Sequence, residues 1–227
     1  MDVISQYGLV LLILGLFFGL FMTWGIGAND VANALGTSVG SGAITVRTAI
    51  IVAAIFEFAG ASLAGGSVTR TIRKGIIDPT QIADRPEILV FGMLAALLAA
   101  GCWLALASFR GWPVSTTHSI VGAIVGFAIA GIGMDAVSWG KISQIVASWV
   151  VSPVLGGVVA FLLMLSIQRL IFRSDTPFSN ALRYAPYYLF LVGFTISLVT
   201  IFKGVKHLNI DLNGLESAGV ASLIGLV

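Results

Sequence analysis

Three groups of polar residues interrupt the apolar stretches of this 227-residue chain, and their side chains are of types that bind ions. In chain order they are Asn29, Asp30 and Asn33; Glu57; and Ser115, Thr116, Thr117 and His118. Amides and hydroxyls donate hydrogen bonds to anions, whereas carboxylates attract cations or protons. An anion that enters an apolar environment beside carboxylates needs cations or protons to offset its charge. The groups therefore suggest coupled binding of an anion and a cation, without identifying the anion.

The first group lies in residues 25–33, which contain two glycines, one acid and two amides between apolar segments. A helix that begins near residue 7 would place this segment deep in a bilayer. Non-helical backbone at that depth needs protein or a polar cavity to satisfy it, and broken helices place half-helix ends at binding sites. We therefore predict a broken first helix. The alternative is a short surface loop in which Asn29 or Asp30 caps a helix from residue 31.

Glu57 lies in the middle of the apolar segment 48–69, between Phe56 and Phe58. A charge at the centre of a membrane helix costs about 2.5–3.5 kcal/mol, so acids in such positions usually face a pathway or a partner. We predict a functional role for Glu57. A protonated Glu57 that donates a hydrogen bond to a neighbouring helix is the structural alternative.

The third group follows Pro113, a residue type that cannot continue a preceding helix. Serine and threonine favour helix N-caps, so a new helix is predicted to begin around Ser115 to His118. The free N–H groups and the dipole of such a helix favour an anion, and the hydroxyls add donors. An ordinary capped helix start is the alternative, and His118 is either a packed or interfacial histidine or a proton carrier.

The composition indicates that lipid is the solvent of the elements that carry these groups. Hydrophobic residues make up 58% of the chain and charged ones 10%, where a soluble domain has roughly 25% charged, and the mean hydropathy is +1.03. The net charge of +2 forms no basic stripe, which argues against nucleic acid. The one cysteine, Cys102, cannot form an internal disulfide and is predicted to be a small hydrophobe.

Apolar segments of roughly 20 residues are predicted membrane spans. The segments are 7–27, 48–69, 88–109, 113–134, 142–172, 186–206 and a last apolar run from near 215, with a further short apolar run at 31–40 after the first span. Segment 142–172 is too long for one straight crossing, which predicts a kink at Pro153 or a steep tilt. The last segment ends at Val227 without a flank, so we expect the sequence to be truncated at its C-terminus.

Three motifs, in this order, resemble the signatures of the inorganic phosphate transporter (PiT) family. The first is GANDVANA at 27–34, followed by GTSVGSG at 36–42. The second is Phe56-Glu57 followed by Gly60, and the third is PVSTTH at 113–118. The resemblance covers about residues 20–130 densely.

The resemblance implies a symporter of phosphate with sodium or protons, built from two inverted repeats. It implies that Asn29, Asp30, Asn33, Ser115, Thr116 and Thr117 line the substrate and ion site, with Glu57 nearby. It also implies a re-entrant hairpin at 113–134 and an outward-facing N-terminus. The loop charges at 70–87 instead favour the cytoplasm for that loop, so the orientation stays open. The family carries its signatures twice and this chain once, which leaves truncation or the pairing of two oppositely oriented copies.

We therefore expect an all-α, polytopic transmembrane helical bundle with a broken first helix and a re-entrant hairpin, one half of an inverted-repeat transporter. It would form a single transmembrane domain over 1–227, with the first repeat at about 7–172, in a multi-pass protein of the cell membrane. The expected partners are inorganic phosphate, a coupling cation, the bilayer, and the missing second repeat or a second protomer. We expect no enzyme activity and no cofactor besides coupling H⁺ or Na⁺.

The site residues are assigned as two sets. The predicted phosphate ligands are Asn29, Asn33, Ser115, Thr116 and Thr117. The predicted cation- or proton-coupling residues are Asp30, Glu57 and His118, with Asp30 and Glu57 as candidate sodium ligands.

Several other functions fit parts of the pattern. A permease for sulfate or another oxyanion, or a carrier of neutral metal–phosphate complexes, would use the same donors. An intramembrane aspartyl protease would need a pair of aspartates that share a proton, but only Asp30 lies in an apolar span. A purely structural bundle would not need an acid in each of two buried segments.

Overall fold

The computed structural model describes residues 3–77, 85–204 and 213–226. The helices are α1 (Val3–Gly40), α2 (Val46–Gly75), α3 (Pro86–Arg110), α4 (Thr116–Gly131), α5 (Trp139–Ile167), α6 (Pro177–Val199) and α7 (Gly214–Gly225). A 3₁₀ turn at Met134–Ala136 precedes α5, and π-helical turns at Gln168–Phe172 and Thr200–Gly204 follow α5 and α6. The prediction of an all-α fold is confirmed.

Five helices in the described part of the chain are long and apolar enough to cross a membrane. They are Ile4–Gly40, Val46–Leu63, Pro86–Arg110, Trp139–Phe172 and Pro177–Phe202. Their large apolar side chains point outward, with Phe58 77% and Phe109 82% exposed. Such surfaces are stable in lipid and not in water. The chain is a polytopic helical membrane protein, as predicted.

The predicted break in the first helix is wrong. Helix α1 runs without interruption through residues 25–33 for a total of 38 residues, and its non-helical backbone angles fall at Tyr7. Gly25 serves packing, because a Cβ at this position would lie 2.9 Å from the Cβ of Leu104. The Asn29 side chain bonds a distant segment, so it does not compete for the backbone hydrogen bonds of α1.

Helices α1, α3 and α4 pack together around small residues. Gly15 of α1 faces Leu94 of α3, and Gly25 faces Leu104. The contacts advance in the same direction along both helices, so α1 and α3 run parallel. Met22 and Leu104 form the buried centre of this packing with Ala100, and α4 adds Ile120 and Ala123 at its edge.

Helix α2 begins after the N-cap Thr45, whose hydroxyl accepts from the N–H of Thr48. Its end is tied to the segment before α5, because the N–H of Ser138 donates to the carbonyl of Ile76 at 2.9 Å. Residues 78–84 of the charged loop lie outside the described residues, so the membrane orientation stays a prediction.

The contacts group the chain into two compact units. The first contains Met1–Ala59 and Arg70–Ile142, and the second contains Gly60–Thr69 and Ser143–Val227. The grouping does not test the predicted single transmembrane domain over 1–227, which therefore remains a prediction.

In the second unit, α5 carries Pro153 inside its helix. It packs near α6, where the hydroxyls of Ser166 and Tyr188 share a hydrogen bond of 2.7 Å. Helices α6 and α7 cross closely, since a Cβ at Gly193 would lie 3.1 Å from the Cα of Gly225. The predicted last apolar segment, from near 215, corresponds to α7.

Candidate functional site

The side chain of Asn29 connects the C-terminal third of α1 to the segment between α3 and α4. Its Nδ2 donates to the carbonyl of Trp112 at 2.9 Å, and its Oδ1 accepts from the N–H of Val114 at 3.2 Å. Oδ1 also accepts from Nδ2 of Asn33, one turn further along α1, at 3.2 Å. Asn29 is 5% exposed. A buried amide with these partners fixes the segment against α1.

The segment between α3 and α4 turns sharply at Gly111. Gly111 has a φ of +67°, a conformation that glycine adopts at no steric cost. The N–H of Trp112 returns to the carbonyl of Ala107 at 2.8 Å and closes the end of α3. The turn directs the chain back along α3 and brings residues 112–116 beside Asn29.

Helix α4 begins as predicted, immediately after Ser115. Ser115 is the N-cap, and its hydroxyl accepts from the N–H of His118 at 3.3 Å. Ser115, Thr117 and His118 are exposed on this first turn. The first turn therefore presents hydroxyls, N–H groups and the positive end of the helix dipole, the features that favour an anion.

Asp30 lies directly beside the start of α4. Its Oδ2 accepts from the Thr116 hydroxyl at 3.2 Å, and both residues are half-buried. Two of the three polar groups recognised in the sequence therefore meet, although they are separated by 86 positions. An acid, hydroxyls and a helix N-terminus lie together at one junction of α1 and α4.

Glu57 lies on α2, where it faces α1 across open space. It lines two cavities of about 360 and 370 Å³. Val31 and Ala53 also line both cavities, and the other lining residues come from α1 and α2 alone. Neither cavity is lined by Asp30 or by residues 115–118. The structure thus brings Asp30 and Thr116 into direct contact, and it places Glu57 at the two cavities between α1 and α2.

A transition-metal centre is not formed by the described residues, where no group of three or more His, Cys, Asp and Glu converges. The candidate oxygen ligands for a cation at this junction are the carboxylate of Asp30 and the hydroxyls at the start of α4. Hard cations such as sodium bind oxygen donors of this kind.

The backbone of Trp112 and Val114 is part of the site and was missed in the sequence. Backbone groups leave no mark in side-chain patterns. Pro113 was the available signal. A proline has no N–H and interrupts regular backbone hydrogen bonding, so the backbone groups next to it must bond to other partners. The Trp112 ring lies 5.6 Å from the Arg110 guanidinium and 6.3 Å from the Trp103 ring.

These features define a polytopic helical membrane protein with an acid, hydroxyls and a helix N-terminus at one junction of helices. The chain belongs to the phosphate transporter family, whose model matches residues 26–225. The resemblance drawn from the three motifs is confirmed. Because the family consists of transporters, the prediction that the protein is not an enzyme is also confirmed.

The chain is similar to several known proteins over nearly its whole length. It is 51% identical over 227 residues to a Haemophilus influenzae protein named "Putative phosphate permease", and covers 54% of it. It is 45% identical over 209 residues to the "Inorganic phosphate transporter 2-1, chloroplastic" of Arabidopsis thaliana, and covers 35% of it. The two alignments cover 100% and 92% of this chain.

A solved structure named "The sodium-dependent phosphate transporter" matches 96% of the chain with a TM-score of 0.86 and 39% identity, and the match covers 52% of that structure. The chain spans about half the length of the bacterial relative and of this structure.

Proposed function

We propose that the full-length protein carries inorganic phosphate across a membrane together with sodium or protons. The observation that carries the proposal is the hydrogen bond of 3.2 Å between the Thr116 hydroxyl and the Asp30 carboxylate. Family membership and the names of the relatives support phosphate as the anion. The name of the solved relative supports sodium as the coupling ion.

Phosphate would bind at the first turn of α4. The donors would be the hydroxyls of Ser115, Thr116 and Thr117, the N–H groups of Thr116 and Thr117 at the start of the helix, and the amide of Asn33. Asp30 competes for one of these donors, because its carboxylate accepts the Thr116 hydrogen. A cation or proton at Asp30 would weaken that bond, and the Thr116 hydroxyl could then turn toward the anion.

Binding of a cation or proton to Asp30 would also reduce the repulsion between the carboxylate and phosphate. An unscreened phosphate next to the Asp30 carboxylate would be repelled, and this repulsion is strong where water is scarce. Neutralising Asp30 before phosphate binds removes the repulsion. Glu57 would hold a second cation or proton in the space between α1 and α2, and His118 would supply a further proton-binding group on α4.

The segment 113–134 would belong to a re-entrant hairpin. Helix α4 has 16 residues and is about 24 Å long, which is less than the roughly 30 Å of a bilayer core. The connection before α4 meets α1 at Asn29, about 16 Å before the end of α1 at Gly40. A helix that begins beside a span, before that span ends, would place its N-terminus at membrane depth.

A second repeat or a second protomer would complete the site. The relative from Haemophilus influenzae and the solved structure are about twice as long as this chain. Residues from another repeat would supply further ligands, and movement of one repeat against the other would open the site to each side alternately.

The test is uptake of radiolabelled phosphate into proteoliposomes that contain the full-length protein. Sodium and proton gradients are imposed separately, and unlabelled sulfate is added as a competitor. Uptake driven by one gradient and resistant to sulfate is the expected result, and the active gradient identifies the coupling ion. If neither gradient drives uptake, or if sulfate abolishes it, the phosphate assignment is wrong.

A further inference from the structure

Two backbone groups in the connection between α3 and α4 find no partner within the connection. The N–H groups of Gly111 and Trp112 bond back to α3, and the carbonyl of Ser115 accepts from Ser119 of α4. Pro113 has no N–H, so the Trp112 carbonyl and the Val114 N–H on either side of it need partners elsewhere. Both of these groups lie in partly buried hydrogen bonds, and backbone groups that lose water without gaining a partner are costly.

The carboxamide of Asn29 bonds both groups. It donates to the Trp112 carbonyl and accepts from the Val114 N–H. Its oxygen also accepts from Asn33, which uses both of its lone pairs. One Nδ2 hydrogen is all that remains for any other partner. A side chain committed in this way is poorly suited to bind a substrate that must come and go.

The bonds of Asn29 also determine how close Asp30 and Thr116 lie to each other. Asp30 follows Asn29 on α1, and Thr116 lies two positions after Val114. Once the connection is held against Asn29, the Thr116 hydroxyl falls within 3.2 Å of the Asp30 carboxylate. We propose that Asn29 is a positioning residue: its carboxamide holds the α3–α4 connection so that Thr116 reaches Asp30, and Asn29 is not a phosphate ligand.

The proposal requires a carboxamide of this length. Aspartate has the same size but lacks the donor, and it would set an oxygen against the Trp112 carbonyl. Alanine leaves both backbone groups without a partner. Glutamine adds a methylene, which displaces the connection or removes the amide from it. We therefore expect N29D, N29A and N29Q all to lose the contact between Thr116 and Asp30. This loss should occur whether or not phosphate is present.

The first experiment measures amide hydrogen exchange of the full-length protein in nanodiscs without phosphate. N29A and N29D are compared with N180D, a matched control whose parent amide also donates to a backbone carbonyl, that of Leu170 at 3.0 Å. In the Asn29 variants we expect exchange of peptides that cover 112–116 to rise about 5- to 100-fold. N180D should leave these peptides unchanged. Unchanged exchange at 112–116 in both Asn29 variants would overturn the proposal.

The second experiment separates positioning from ligand binding and uses T116V as a second variant. Because Asn29 is proposed to act through Thr116, N29A and T116V should change the coupling-ion dependence of phosphate uptake in the same direction and to a similar extent. The double variant should be no worse than T116V alone. Additive losses, with an increase confined to the phosphate KM in N29A, would make Asn29 a ligand and overturn the proposal.

The transport readout rests on the proposed function, whereas the exchange readout does not. Absence of uptake by the wild-type protein would refute phosphate symport and leave hydrogen exchange to decide the role of Asn29. If N29A and N29D do not fold, N29Q supplies the comparison. It keeps the carboxamide but adds a methylene, so exchange at 112–116 should rise and the coupling-ion dependence should weaken. Wild-type exchange and wild-type ion dependence in N29Q would overturn the proposal.

Discussion

The carboxylate of Asp30, in the C-terminal third of α1, accepts a hydrogen bond of 3.2 Å from the hydroxyl of Thr116, the first residue of α4. The bond joins the proposed cation-binding group to one of the proposed phosphate ligands. While Asp30 is negative, it holds a hydrogen that an oxyanion at the helix N-terminus would otherwise use. Binding of a cation or a proton to Asp30 would therefore favour anion binding in two ways. It would neutralise the negative charge of the carboxylate, and it would release the Thr116 hydroxyl to donate to the anion.

The first prediction concerns the Thr116 hydroxyl. T116V has nearly the same shape but no hydroxyl, so it should lower cation-dependent phosphate uptake about 10- to 100-fold, the size expected for a charge-assisted hydrogen bond. T116S keeps the hydroxyl and should retain most of the activity. Initial rates in proteoliposomes measure the difference. Equal rates for T116V and the wild-type protein would exclude a role for the hydroxyl.

The second prediction concerns Glu57, which lines both cavities between α1 and α2. E57Q keeps the size and removes the charge, so the variant should fold but lose gradient-driven uptake by about tenfold or more. The matched control is E87Q in the first turn of α3, outside both cavities. If E57Q and E87Q both transport at the wild-type rate, Glu57 has no coupling role.

The third prediction concerns stability and tests the packing of α1 on α3. In G25A the added Cβ would lie 2.9 Å from the Cβ of Leu104, so the helices must move apart, at a cost of about 1–3 kcal/mol. G19A is the control, because an added Cβ there meets nothing within 4 Å. Thermal unfolding in detergent should show a lower Tm for G25A alone. A Tm of G25A equal to that of G19A would contradict the observed packing.

The sequence predicted those parts of the structure that depend on local chemistry. The apolar segments indicated the spans, and Pro113 followed by Ser115 predicted the start of α4, because proline and an N-cap act within one turn. The predicted helix break at 25–33 was wrong for a physical reason. Glycine weakens a helix in isolation, but the close contact with Leu104 makes Gly25 favourable in α1.

The site itself depends on contacts that local chemistry does not encode. Asn29 bonds backbone groups 83 and 85 positions away, and their position depends on how α3 packs on α1. The motifs placed Asp30 and Thr116 in one site only through the resemblance to a family. Their direct contact required the parallel packing of α1 and α3 and the sharp turn at Gly111.

The most direct test of the account is the linkage between cation and phosphate binding at Asp30, measured by calorimetry on the full-length protein. The coupling cation, sodium or a proton, should tighten the phosphate Kd about 5- to 100-fold in the wild-type protein. This dependence should disappear in D30N and persist in D135N, a matched change at an exposed aspartate outside the site. A phosphate Kd that is the same with and without the cation, or that responds equally in D30N, would contradict the account.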